Sequence, residues 1–265
     1  MTAGQDGAGG KLPVLLNGLA VLRCFSAAEP LLGVTEIAER VGLHKSSVSR
    51  ILATLEQVDL VERDPASRRF TLGLGVIELA GPLLADLDVR RVAYPLLVDL
   101  ARRTGETAAL LVWNGTSAVC VAQVASPHPV KHTTTIGTRY ATAASASVQV
   151  LASPLPPEEV RRLLDSGTLL RDGISTPDYL AELATVRADA AAVNYGRTSV
   201  EEVGVAAGVF DHRGQQVAAV LVSAPRFRVG LEQATVLLDA ARESAEAITG
   251  RLGGRRLPDP VPPTV

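Results

Sequence analysis

Between positions 45 and 50 the chain places Lys45, Ser46, Ser47, Ser49 and Arg50, two cations and three short hydroxyls in close succession. Side chains of these types can reach phosphate oxygens and base edges when a helix carries them into a major groove. A plainer reading is a helical hairpin with a solvated polar face. Further along, Arg63, Arg68 and Arg69 flank Asp64-Pro65-Ala66-Ser67, a turn-rich tetrad. Arginines on such a projection commonly meet phosphate or the minor groove, although an arginine pair in a loop is often only solvated. Evidence for other chemistry is thin. His128 and His132 are four apart, but Pro129 lies between them and breaks the helix that would put both imidazoles on one face. There is no Gly-x-Ser-x-Gly elbow, no glycine-rich phosphate loop ahead of a helix and no Cys-x-x-Cys. Neither a catalytic residue, a metal site nor a cofactor is expected.

The elements that must hold the first cluster can be read from apolar spacing. Ile37, Val41, Val48, Ile51, Leu52 and Leu55 recur at helical steps. Gly42 interrupts them where a left-handed residue would end one helix and start the next steeply, and the small Ala38 lets the pair cross closely. The spacing of Ala38, Gly42 and Val48 is that of a helix-turn-helix. Its second helix, about 45–57, turns Val48, Ile51, Leu52 and Leu55 inward and keeps the cations and hydroxyls outward. Alternating segments at 60–63 and 69–72 predict a two-stranded wing around the tetrad. A preceding helix is expected over 16–27, capped by Asn17, with Leu19, Leu22 and Phe25 inward. Residues 1–13 read as a mobile leader.

The chain has 265 residues, 47% of them hydrophobic, enough for a core in each of two domains. Its net charge of -2 rules out a protein that coats nucleic acid by bulk attraction. Over residues 11–75 there are eight cations and seven carboxylates, so any DNA binding depends on their placement. Cys24 and Cys120 are too few and too far apart for a disulfide framework, and two free thiols fit a reducing cytoplasm. No signal peptide and no membrane-spanning run are visible.

Residues 74–90 read as a connecting helix that Gly81-Pro82 should kink or split. Beyond a helix over 91–103, strands are expected at 107–113 and 117–124 around Asn114-Gly115, at 130–136, at 205–210 and at 216–223. Helices are expected at 141–153, 158–164, 178–193 and 231–251, and a disordered tail at 253–265. Hairpins with segregated helices make this second domain α+β and not doubly wound.

The run Val34-Thr35-Glu36-Ile37-Ala38-Glu39, then Val41 through Arg50, Leu52-Ala53-Thr54-Leu55 and Phe70-Thr71-Leu72-Gly73 closely resembles the N-terminal domain of the IclR family of bacterial transcription regulators. Thr104-Gly105-Glu106-Thr107, Gly208-Val209-Phe210-Asp211 and Val220 through Pro225 resemble that family's effector domain more loosely. The resemblance implies a winged helix-turn-helix over 14–73, a linker helix over 74–90 and a mixed α/β, GAF/profilin-like effector-binding and oligomerisation domain over 91–252. It also implies operator DNA as partner, a homodimer or homotetramer, and a small-molecule effector that modulates binding. Lys45, Ser46, Ser47, Ser49, Arg50, Arg68 and Arg69 are then the expected DNA contacts. Ala143, Ala144, Ser145, Ser147, Leu221 and Ser223 are the expected effector contacts. Where the family commonly carries lysine this chain has Val148, and where it has Ser-x-Ser this chain has Leu221-Val222-Ser223. An aromatic acid, amino-acid derivative or lactone suits these residues better than a small, highly charged acid. The alternatives are an enzyme, or a purely oligomerising module, fused to a DNA-binding head.

Overall fold

The computed structural model describes residues 12–26, 29–86 and 88–254, without the side chains of 12, 13, 81–86 and 88. The chain divides into two compact units, with the division between residues 86 and 87.

In the first unit α1 spans Leu12–Leu22, α2 Val34–Val41 and α3 Lys45–Glu56, followed by the strands β1 (Val61–Arg63) and β2 (Phe70–Leu72) and the helix α4 (Gly75–Asp86). Val21, Phe25, Ile37, Val48, Leu52 and Phe70 form its core. The first helix begins earlier than its spacing suggested, because Pro13 falls in the first turn, where a fixed φ and a missing N–H cost nothing. Asn17 therefore lies mid-helix and caps nothing. Leu19 is 43% exposed, and Val21 takes the inward position instead. α4 runs across Gly81-Pro82, where a kink or split was expected, without splitting: a proline removes one intrahelical bond, and the turns on either side can keep theirs.

The second unit opens with α5 (Asp88–Thr104), β3 (Thr107–Trp113), β4 (Ala118–Val124) and β5 (Arg139–Tyr140), followed by α6 (Ala146–Ala152), α7 (Pro157–Asp165) and α8 (Thr176–Asp189). It closes with β6 (Ala191–Tyr195), β7 (Glu202–Phe210), β8 (Gln216–Pro225) and α9 (Leu231–Arg251). The six strands form one sheet in the order β5-β4-β3-β8-β7-β6, with every neighbouring pair antiparallel. Side chains alternate between two apolar layers. Leu110, Val205, Val220 and Val222 pack with α5 and α9, whereas Ala109, Ala192, Ala206 and Leu221 pack with α6, α7 and α8. Burial on both faces explains why β7 and β8 read as continuous apolar runs.

Three expected elements of this unit are corrected. Residues 130–136 form no strand: they loop, with the His132 carbonyl accepting the Thr107 hydroxyl at 2.7 Å, and the edge strand is β5. The helix expected from 141 starts only at Ala146, because Thr142 bridges to Leu170 and the Ala143 N–H donates to the Leu170 carbonyl at 2.8 Å. The helix expected to reach 193 stops at Asp189, where Ala190 turns left-handed at φ 50° and frees the following residues to pair with β7. The expected tail lies outside the described residues, apart from Gly253 and Gly254.

Candidate nucleic-acid interface and ligand cavity

The helix-turn-helix is built from small local devices. The Gly33 N–H donates to Glu36 Oε2 at 2.7 Å and fixes the start of α2. Gly42, at φ 69°, ends that helix, and its N–H and that of Leu43 both turn back to the Ala38 carbonyl. α3 leaves with Val48 and Leu52 buried against α2. Lys45, Ser46, Ser49 and Arg50 are exposed on its other side, and Ser47 is half-buried. Arg50 Nε donates to the Ser46 carbonyl at 3.3 Å, which leaves the two terminal guanidinium nitrogens available. His44, the exposed N-cap, extends this surface. Its place just ahead of the first helical residue was the available signal for it.

In the wing Val61 pairs with Leu72 and Arg63 with Phe70. Asp64 closes the tip, accepting the Ala66 and Ser67 N–H groups at 3.1 Å each and the Ser67 hydroxyl; the hydroxyl first and then these amides hold its pKa below the ordinary value. Arg68 follows in a left-handed conformation, φ 58°, and is exposed. Arg63 lies over the Phe70 ring at 5.6 Å. Arg69 differs from both. Its guanidinium holds both oxygens of Glu36 on α2, while 40% of its side chain stays exposed. Sequence spacing could not reveal a partner 33 residues away.

The wing ends in a close approach. A Cβ on Gly73 would sit 2.2 Å from the Asp59 carbonyl oxygen and one on Gly75 2.7 Å from it, so only glycine fits as the chain passes into α4.

On the α6 side of the sheet in the second unit, an apolar row gives way to a polar one. Ala109, Leu221, Ala206 and Ala192 lie in register across four strands, and two residues along each strand come Thr107, Ser223, Gly204 and Asn194. Thr107 and Asn194 are hydrogen-bonded. Ser223 is 1% exposed, and its Oγ has no hydrogen-bond partner among the described residues. Ala143 and Leu221 share one buried cluster, and Ala144 is buried nearby in sequence. Ser145 and Ser147 touch each other, Oγ to Oγ at 3.2 Å, and Val148 is fully buried, so none of these supplies a charge. Beyond the polar row a cavity of about 910 Å³ opens between the strand ends, lined by Lys131, His132, Tyr195, Glu202 and Arg226 among others. His132 Nε2 lies 3.3 Å from Glu202 Oε1, while His128 stands apart from this pair. Among the described residues no three His, Cys, Asp or Glu side chains could share a metal ion, and no helix is long and apolar enough to cross a membrane.

Residues 14–65 match the IclR helix-turn-helix domain, and residues 82–250 match the bacterial transcriptional regulator IclR C-terminal domain. The chain belongs to the IclR family. IclR-type proteins are DNA-binding transcription regulators, and this chain is one of them. The HTH-type transcriptional regulator Rv1719 of Mycobacterium tuberculosis is 32% identical over 224 residues, 83% of this chain and 85% of that one. A crystal structure of an IclR-family transcriptional regulator domain shares 47% identity at a TM-score of 0.62, covering 64% of this chain and 99% of its own. An IclR homolog of Microbacterium hydrocarbonoxydans, crystallised with 4-hydroxybenzoate, has the same fold at a TM-score of 0.75 and 22% identity, covering 90% of this chain and 98% of its own.

Proposed function

We propose that this IclR-family regulator reads its operator with the outer face of α3: Arg50, Ser46 and Ser49 toward base edges, Ser47 and Lys45 toward phosphate, and Arg68 from the wing tip. The exposure of this set, with its apolar neighbours Val48 and Leu52 buried behind it, carries the reading. The proposed domain limits are 14–73, 74–90 and 91–252, the boundary at 90 and 91 falling in the first turn of α5, and the protein works in the cytoplasm with its DNA. One reading head covers only a half-site, so the chain acts as a homodimer or homotetramer. Val14, Leu15 and Leu16 on α1 and Leu74, Ile77 and Leu79 at and within α4 are exposed apolar side chains that a second copy would cover. The operator is then a pseudo-palindrome whose half-sites lie about 34–36 Å apart, or a multiple of that. Footprinting beside light scattering tests this: two protected half-sites and a dimer or tetramer support it, and a monomer protecting one half-site contradicts it.

The effector site is the polar row around Ser223, floored by Leu221 and bordered by Ala143, Ala144, Ser145 and Ser147. A buried hydroxyl without a protein partner is costly, and a ligand group can satisfy it. The apolar floor suits an aromatic or aliphatic body. The co-crystallised 4-hydroxybenzoate of the Microbacterium homolog has such a body. Ligand binding that responds to Ser223→Val supports this placement, and binding that ignores it locates the site elsewhere.

A further inference from the structure

Glu202 is an acid on a sheet face that is otherwise apolar or neutral, and it is not accounted for by the operator-binding surface. It begins β7, two residues before Gly204, and therefore shares the α6 side of the sheet with Gly204 and Ala206. Its carboxylate folds back along the strand: a Cβ built on Gly204 would lie 3.9 Å from Glu202 Oε1 and 3.7 Å from Leu221 Cδ1. Gly204 is the cross-strand partner of Ser223, whose hydroxyl is buried and unpartnered. The missing side chain at 204 thus leaves a gap bordered by a carboxylate oxygen, an apolar methyl and the strand that bears the free hydroxyl. The same Glu202 also lines the cavity of about 910 Å³, so it borders both that cavity and the gap at Gly204.

The partners already around Glu202 leave it under-supplied with protons. Oε2 accepts the Thr198 hydroxyl at 3.3 Å, and Oε1 faces His132 Nε2 at 3.3 Å. No arginine or lysine among the described residues forms an ion pair with it. Lys131 is turned to the Ser126 carbonyl, and Arg226 stacks on Tyr195 at 4.8 Å and donates to the Val200 carbonyl. An ionised carboxylate only accepts hydrogen bonds, and a second carboxylate beside it would add like-charge repulsion in a partly buried site.

From this geometry we infer that the effector presents a hydrogen-bond donor, an amine or hydroxyl, to Glu202 over Gly204, with its apolar body on Leu221 and Ala206. The inference rests on the effector site proposed above and narrows its ligand class: amino-acid derivatives and hydroxylated compounds fit, and a simple acid whose only polar group is its carboxylate does not. Ser223 gives or accepts a second bond to the same head group, and Glu202 sets which head groups are admitted.

Three probes with one body separate the possibilities: 3-phenylpropylamine, 3-phenylpropanol and 3-phenylpropionate, titrated calorimetrically against the full-length protein. The amine should bind roughly tenfold tighter than the acid, the margin of one charge-assisted hydrogen bond, and the alcohol should fall between them. Glu202→Gln keeps shape and the Thr198 contact; it should cost the amine about tenfold, change the alcohol little and raise affinity for the acid. Gly204→Ala meets its neighbours only at ordinary contact distance, so it folds, and its methyl group should weaken all three probes. An acid that binds tightest, or an amine whose affinity is the same in Glu202→Gln, overturns the inference, as does the failure of all three probes to saturate. If binding responds to Ser223→Val but not to Glu202→Gln, the effector site stands and the role of Glu202 falls. If it responds to neither, both fall.

Discussion

Arg69 of the wing grips both carboxylate oxygens of Glu36, which in turn accepts the Gly33 N–H just ahead of α2. One carboxylate thereby ties the wing to the helix-turn-helix. Arg69→Ala should weaken operator binding by loosening this tie, with the salt slope unchanged, whereas loss of a true phosphate contact lowers the slope by about one unit. Arg69→Glu combined with Glu36→Arg should recover part of the lost affinity. A salt titration of the three proteins reads both effects. A lowered slope in Arg69→Ala with no recovery by the swap would make Arg69 a phosphate contact.

The same pair makes the DNA-binding unit acid-sensitive. The side-chain bonds from Arg69, and then the Gly33 amide, hold the Glu36 pKa below its ordinary value. A carboxyl group whose folded pKa is depressed contributes stability above its unfolded pKa and loses it as pH falls through the folded one. Stability should therefore decline as pH drops below about 4.5, the unfolded value, and do so more steeply in wild type than in Arg69→Ala. Melting curves between neutral pH and pH 3 check this. Parallel curves for the two proteins would contradict it.

Two glycines should respond in opposite senses to the same substitution. Gly73→Ala drives a methyl into the Asp59 carbonyl and should cost roughly 1–3 kcal/mol. Gly250→Ala, in the last turn of α9 with nothing within 4 Å, should gain about 0.5–1 kcal/mol from helix propensity. Denaturant melts measure both, and a neutral Gly73→Ala would show that the wing-to-α4 passage is looser than drawn.

Ser223→Ala removes a buried hydroxyl that has no partner. The empty protein should lose nothing and gain up to about 1 kcal/mol, while ligand affinity falls. A destabilised Ser223→Ala would mean that the hydroxyl already has a structural partner.

What the sequence made legible follows from the range of the interactions involved. The helix-turn-helix was legible because Ile37, Val48 and Leu52 repeat at helical spacing and Gly42 marks the turn between them, all within one short stretch. β6 was not: Ala191-Ala192-Val193 is a short apolar run that suits a helix or a strand, and pairing with β7 decides it. The loop through 130–136 has strand-like composition, yet Thr107, a neighbour only in the folded sheet, binds the His132 carbonyl. Ser223 was named from its motif, and the structure adds that its hydroxyl is buried beside Gly204. The position of Glu202 beside that pair was not legible, because it depends on the absence of a side chain at Gly204 and on a strand pairing distant in sequence. The pairing of Arg69 with Glu36 was hidden for the same reason: its partner on α2 is distant in sequence.

The most direct measurement is operator affinity at fixed salt for wild type, Arg50→Ala and Arg68→Ala, each against the operator and its single-base variants. Arg50→Ala should cost roughly 1–3 kcal/mol and relax preference at one base pair, as expected of a guanidinium held to a base edge. Arg68→Ala should weaken every sequence alike and reduce the salt slope by about one unit. Equal affinity and unchanged base preference in Arg50→Ala would contradict the assignment of the outer face of α3 as the reading surface.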